Sequence, residues 1–216
     1  MPEPIWKPSQ SLLEEANITS FMQQVGRRHH IDLADYAALY RWSIAQPRAF
    51  WSAVWRDGGV IAEGMGERVL EQEDRMPGAR WFPQARLNFA ENLLRGRDQH
   101  DALVFWGEDR VKQRLSGGEL YNRVSRLAQA LSSMGVVTGD RVAGYLPNMP
   151  EAVIAMLATT SLGAIWSSCS PDFGVNGVVD RFGQIEPKVL FAADGYYYNG
   201  NQFDCLSKIA EIKGRI

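Results

Sequence analysis

From Asp140 onward the chain repeats one alternation three times: a short apolar run, a loop of Pro, Gly, Asn, Ser or Asp, and a helical stretch. The apolar runs are "RVAGYL", "AIWSSC" and "KVLFAAD". The helical stretches are "PEAVIAMLATTSLG", "GVNGVVDRFGQIEP" and "FDCLSKIAEIKGR". Strands that follow one another through helices run parallel, because tight turns join only antiparallel neighbours. The expected fold class is therefore α/β, a mostly parallel sheet with flanking helices. Pro150 opens the first helix and Gly163 lies past its end. That helix is apolar nearly all round and is predicted to be buried on more than one side. Ala164 to Cys169 is predicted to be a buried strand, with Cys169 a small core residue rather than a nucleophile. Val175, Val178, Val179, Phe182 and Ile185 share a helical face that Pro187 ends.

Upstream, "DALVFWGED" and "RVKQRLS" predict a hairpin around Gly107–Asp109. Ser116 and Glu119 have the spacing of a capping box, which satisfies free amides at the start of a helix. Leu120, Val124, Leu127, Leu131 and Met134 form the stripe of that helix, and Gly135 stops it. The first 95 residues read as helices joined by loops. Tyr36, Leu39, Tyr40 and Ser43 are expected on one face of a helix, and Pro47 either stops it or starts the next. Phe50, Trp51, Val54 and Trp55 form an aromatic face on the next helix, which Gly58 and Gly59 end. His29 and His30 follow two arginines at a predicted helix end and are expected to interact with its carbonyls and dipole. The stretch "RGRDQHD" at 95–101 reads as a solvated connection. The expected organisation is a helical N-terminal cap over 1–95 and an α/β domain over 96–216.

Ligands of open parallel sheets gather beyond the C-terminal strand ends. The loops there are "PNMP", "SPDFG" and "DGYYYNGNQ". The same compositions also make ordinary turns, so topology alone leaves both readings open. Asp172 has the position of a ligand group and equally of a turn former or helix cap. Tyr196, Tyr197 and Tyr198 could stack on a flat ligand or pack on the domain body.

Several function classes are poorly supported. The net charge of -2 supplies no field for nucleic acid or an anionic membrane. No apolar run reaches the roughly 20 residues of a membrane helix, and the N-terminus lacks a signal core, so a cytoplasmic protein is expected. Two distant cysteines and three histidines make a poor zinc set, and two free thiols are expected. "GMGERV" is the nearest approach to a dinucleotide fingerprint, but Val69 replaces its third glycine. Neither a Walker-type phosphate loop nor a nucleophile elbow occurs.

Taken in order, "YAALYRWSIAQPRAFWSAVW", "WFPQARLNFAENLL" and "GDRVAGYLPNMPEAVIAMLATTSLGAIWSSCSPDFG" resemble the N-terminal part of an acyl-CoA synthetase. The family is the adenylate-forming enzymes, on the acetyl-CoA synthetase branch. "IWSSCSPDFG" and "YYYNGNQFD" are most similar to its acetoacetate-activating members. The resemblance implies ATP, CoA and magnesium as cofactors of a complete enzyme that joins acetoacetate to CoA through an acyl-adenylate. It places Ser170, Pro171, Asp172, Phe173 and Gly174 along the pantetheine tunnel. Related acetyl enzymes carry Phe-Gly-Gly there, where this chain has Ser170-Pro171-Asp172. Tyr198 and Asn201 are weaker candidates on the CoA-phosphate side, because acetyl-CoA synthetases carry arginines in a loop that here has no Arg or Lys. The family's phosphate loop, AMP-binding segment and adenylation lysine do not occur in these residues, so no catalytic residue and no metal ligand is assigned. An N-terminal fragment that does not form acyl-adenylate by itself is expected. The competing readings are a stand-alone binding module and a dinucleotide-binding oxidoreductase domain.

Overall fold

A computed structural model describes residues 5–108 and 110–216, so Asp109 of the expected hairpin turn lies outside the described residues. The chain divides into two compact units, residues 5–87 and 88–216.

The first unit is helical at its start. Helix α1 spans Gln10–Glu15 and α2 spans Asn17–His29. Helix α3 spans Tyr36–Ala45 and α4 spans Pro47–Asp57. Asp35 caps α3 by accepting the Ala38 amide at 2.7 Å. Pro47 occupies the first turn of α4, where a missing N–H costs nothing. A minimal antiparallel pair follows, β1 at Leu70–Glu71 and β2 at Arg80–Trp81.

Edge-to-face aromatic contacts tie these helices together: Phe50 meets Phe21 and Trp42 at 6.1 Å each. Of the face expected on α3, only Leu39 is buried, while Tyr36 and Tyr40 stay exposed. The helix instead turns Trp42 inward, between Phe50 and the His29 ring at 5.2 Å. His29 thus packs on an indole, and His30 takes the left-handed cap conformation at φ 54°. "GMGERV" lies in irregular chain, with no strand before it and no helix after it. A dinucleotide fingerprint needs both, so that alternative loses its one sequence signal.

The second unit is α/β. Helix α5 spans Phe89–Leu93, and Asn88 caps it through the Glu91 amide. Strands β3, Asp101–Gly107, and β4, Val111–Ser116, form the expected hairpin. Helix α6 spans Gly117–Ser133 with the full capping box of Ser116 and Glu119. Then come β5 at Arg141–Tyr145, α7 at Pro150–Ser161, β6 at Ile165–Cys169, α8 at Val175–Phe182 and β7 at Val189–Ala192. Strands β8, Gly195–Tyr198, and β9, Asn201–Asp204, precede the last helix, α9, at Leu206–Lys213.

The parallel sheet has the order β6-β5-β7. The chain leaves β5 through α7 toward β6, then recrosses through α8 to the far side of β5. One core joins α5, α6 and α7 to one face of this sheet, including Leu115, Val124, Leu131, Val142 and Leu157. A second lies on the other face, with Tyr145, Cys169, Val178, Phe182, Cys205 and Ile212.

Four expectations need correction. The strand 164–169 is an edge strand: Ala164 and Cys169 are buried, but Ile165 is 53% exposed. Met134 leaves the α6 stripe, because the helix ends at Ser133 and Val136 fills the core after the turn. The loop over 194–202 is mostly a hairpin, and Phe203 and Asp204 belong to its second strand rather than to the last helix. The stretch 95–100 is exposed as expected, yet it is pinned: the Gly117 and Gly118 amides donate to the His100 and Asp98 carbonyls at 3.0 and 2.9 Å. Arg97 also lies 3.8 Å over the Tyr121 ring.

Candidate functional site

Strand β5 lies between β6 and β7, its residues 142–145 are all buried, and it therefore sets the depth from which the loops at its C-terminal end emerge. A cleft of about 490 Å³ opens at that edge, within the ordinary range of small-molecule sites. It is lined by Pro147, Asn148 and Met149 after β5, by Ser170, Pro171 and Asp172 after β6, and by residues 195–198 of β8. Its remaining wall is residues 105–108 and Val111 of the β3–β4 hairpin. The sequence reading missed that wall, since nothing local ties a hairpin at residue 108 to a turn at residue 200. A second, mainly apolar hollow of about 500 Å³ adjoins the ends of β5 and β7, between Leu146, Met149, Phe191 and Gly195.

The turn after β6 is built around buried Tyr145. Its hydroxyl lies 2.8 Å from the Pro171 carbonyl and 3.0 Å from that of Phe173, and shares its proton between them. Burial pushes the Tyr145 phenol up, so the donor stays protonated. At the surface, the Asp172 carboxylate accepts from Tyr196 Oη at 2.7 Å and from Ser170 Oγ at 2.8 Å. The Tyr196 hydrogen bond, then that of Ser170, holds the Asp172 carboxyl below the usual carboxylate range. The same bond pushes Tyr196 up to about 12. Asp172 is therefore an anion with one donor from its own turn and one from β8. It does not cap α8, whose N-cap is Gly174 with no side-chain bond.

Phe173 turns away from the cleft lining and lies under the Arg181 guanidinium at 4.2 Å. Tyr196 stacks on Phe203 at 5.1 Å, and Tyr197 lies under Arg110 at 4.9 Å. Tyr198 lines the cleft with 65% of its surface exposed. Asn201 pairs with Tyr198 across the hairpin, and its amide donates to the Asn199 carbonyl at 3.2 Å. The cleft thus gathers Ser170, Pro171, Asp172 and Tyr198, and leaves Phe173, Gly174 and Asn201 outside its lining.

Cys169 and Cys205 are buried free thiols, and burial pushes both up, away from the thiolate a nucleophile needs. Among the described residues, no three His, Cys, Asp or Glu side chains come together as a metal set. No helix there is long and apolar enough to cross a membrane.

What the arrangement offers chemically is an open cleft walled by aromatic rings, with one fixed carboxylate that can accept a donor N–H or O–H. Chains of similar sequence share this framework. The chain is 52% identical over 209 residues to the acetoacetyl-coenzyme A synthetase of Rhizobium meliloti (strain 1021), covering 97% of this chain and 32% of that protein. It is 41% identical to the acetoacetyl-CoA synthetase of Danio rerio, covering 96% of this chain and 31% of that one. The structure of acetoacetyl-CoA synthetase from Streptomyces lividans superposes with a TM-score of 0.90 at 42% identity, over 99% of this chain and 34% of that chain. The chain therefore spans about a third of the length of the relatives it matches. Residues 36–93 match the acetyl-coenzyme A synthetase N-terminus, and residues 89–215 match the AMP-binding enzyme family. By that match over more than half its length, the chain belongs to the AMP-binding enzymes, with the N-terminal segment of the acetyl-CoA synthetase type.

Proposed function

We propose that these residues are the N-terminal third of an ATP-dependent acid–thiol ligase that makes acetoacetyl-CoA, AMP and pyrophosphate from acetoacetate, CoA and ATP. ATP supplies the activation, since a carboxylate is a poor electrophile until AMP is made its leaving group, which the CoA thiol then displaces. The observation that carries the reading is the convergence of the post-β5, post-β6 and β8 segments on one cleft at the sheet's C-terminal edge. The names of the relatives supply its substrate.

The residues present fit CoA better than they fit ATP or magnesium. The cleft offers aromatic walls for a thin arm and the Asp172 carboxylate for its amide N–H groups. The Tyr145 and Tyr196 hydroxyls hold that carboxylate's turn in place before any ligand arrives, which lowers the ordering cost of binding. The sequence has no glycine-rich phosphate cradle, and no metal set forms among the described residues, so no step through ATP or magnesium is assigned to these side chains. The reading includes no nucleic-acid or membrane partner and a cytoplasmic site of action.

Acetoacetate-dependent exchange of pyrophosphate into ATP tests it. The full-length protein should catalyse the exchange, and residues 1–216 alone should not. Exchange by the 216-residue chain, or none by the full-length protein with acetoacetate, would overturn the reading.

A further inference from the structure

The sequence places a glycine directly after an asparagine twice, at Asn176-Gly177 and at Asn199-Gly200. Such pairs are open to an internal reaction. The glycine nitrogen, with no side chain beside it, can attack the preceding asparagine's side-chain carbonyl and close a cyclic imide. How the fold holds the two residues decides whether it does.

Asn176-Gly177 lies inside α8. The Asn176 carboxamide oxygen accepts from Arg215 Nη1 at 2.9 Å, and a Cβ at Gly177 would meet Arg181 Nη1 and Phe173 Cδ1 at 3.5 Å. That pair is helical and crowded. Asn199-Gly200 is instead the two-residue turn between β8 and β9, closed by the Tyr198–Asn201 pair. Both residues are exposed and at positive φ, and a Cβ at Gly200 would meet nothing within 4 Å. The space that ring closure needs is open there. One contact restrains it: the Gly200 amide, the attacking group, donates to the Glu108 carboxylate at 3.1 and 3.4 Å. Arg110 Nη2 donates to the Gly200 carbonyl at 3.3 Å, so the β3–β4 hairpin grips this glycine by both of its backbone groups.

We propose that Asn199 is a site of spontaneous conversion to aspartate and isoaspartate, and that Glu108 slows the conversion by holding the Gly200 nitrogen. In the first step the Gly200 nitrogen bonds to Asn199 Cγ, the Cγ–Nδ2 bond breaks, and Nδ2 leaves as ammonia with the proton of the Gly200 amide. Water then opens the imide at either carbonyl. Its hydroxyl stays on the carbon as a carboxylic acid and its other proton returns to the nitrogen. Opening at the main-chain carbonyl leaves the backbone running through Cβ and Cγ. That added methylene does not fit a two-residue turn whose length sets the register of β8 on β9. The new carboxylate also adjoins the amide that Glu108 grips. Strand β8 carries Tyr196, so its hold on Asp172 should loosen with the turn.

The test is peptide mapping by mass spectrometry, with enzymatic methylation of isoaspartate, on the full-length protein stored at mildly alkaline pH. Storage lasts as long as the urea-unfolded chain needs to convert at both pairs. Position 199 should become acidic and take the methyl label, while position 176 keeps its amide. Glu108→Ala should quicken the conversion about fivefold, the worth of one hydrogen bond. An intact amide at 176 in that variant shows that the fold is kept. Glu108→Gln keeps an acceptor and should stay near the wild-type rate. Asn199→Gly suits the same turn and should abolish the label. An unconverted Asn199, equal conversion at both pairs in the folded wild type, or no acceleration in Glu108→Ala would overturn the proposal. The effect on the cleft rests on the CoA reading: converted protein should show a KM for CoA raised about threefold, with the KM for ATP unchanged. An unchanged KM for CoA would overturn the loosening of β8. Absence of CoA-dependent AMP release by fresh wild-type protein would remove the CoA reading and leave the chemical result standing.

Discussion

Tyr196 Oη stands 2.7 Å from Asp172 Oδ1, so a side chain of β8 fastens the turn that follows β6. The bond holds Asp172 low and raises Tyr196 to about 12. Its sign as a function of pH follows from the two shifts. A depressed carboxyl contributes stability above its unfolded value of about 4, and loses it as pH falls through the folded value. A raised phenol contributes below its unfolded value of about 10, and loses it as pH rises toward the folded value. The contact's stabilisation should therefore be complete from about pH 4 to about pH 10 and fade as pH falls below or rises above that window. Titration of ring-labelled tyrosine by NMR should show Tyr196 near 12 in the wild type and closer to about 10 in Asp172→Asn. An unchanged Tyr196 in that variant would disprove the coupling.

Asp172 also lines the cleft, and its carboxylate is exposed there. In the full-length ligase, Asp172→Ala should raise the KM for CoA by about five- to tenfold, the worth of one charged hydrogen bond. The KM for ATP should stay within about twofold of wild type on the same scale. Steady-state kinetics with each substrate varied in turn decides it, and equal effects on both would argue against the turn bordering the CoA path.

Elements set by local physics are legible in the sequence. The capping box of Ser116 and Glu119 needs only a spacing of three, and it is present in full. Strand–helix alternation likewise encodes the parallel sheet, because each crossover is written in consecutive residues. The β8–β9 hairpin was missed although Asn199-Gly200 is a turn signal, with both residues at positive φ of 49° and 75°. Three consecutive tyrosines hide the alternation of that strand, so its period of two cannot be seen. The exposure of Ile165 was illegible for another reason: an apolar strand reads the same at a sheet's edge as at its centre, and strand order is a tertiary property. The engagement of Asp172 by a residue 24 positions on has no local signature.

Tyr145 is the deeper support of the same turn, a fully buried phenol beneath the Pro171 and Phe173 carbonyls. Tyr145→Phe keeps the ring and removes the donor, leaving polar groups that the fold has shielded from water. The expected cost is about 1–2 kcal/mol in urea unfolding. A cost near zero would mean that water replaces the hydroxyl and that the turn does not depend on it.

The position before Tyr145 is closed to any side chain. A Cβ at Gly144 would stand 2.6 Å from Trp166 Cη2 and 2.7 Å from its Cζ2, on the strand beside it. The indole cannot withdraw freely, because it meets Phe191 of β7 at 6.2 Å and is packed, partly buried, against the main core. Gly144→Ala should therefore destabilise by about 1–3 kcal/mol through overpacking. Trp166→Leu removes the atoms in conflict at the cost of core contacts of its own. The double variant should be less damaged than the sum of the singles by about 1 kcal/mol or more, a coupling that denaturant unfolding of all four chains measures. Strict additivity would show that the glycine is required for another reason. Because Gly144 immediately precedes Tyr145, a displaced β5 also moves the hydroxyl that holds the Asp172 turn. Gly144→Ala in the full-length ligase should therefore raise the KM for CoA, and Trp166→Leu should partly restore it.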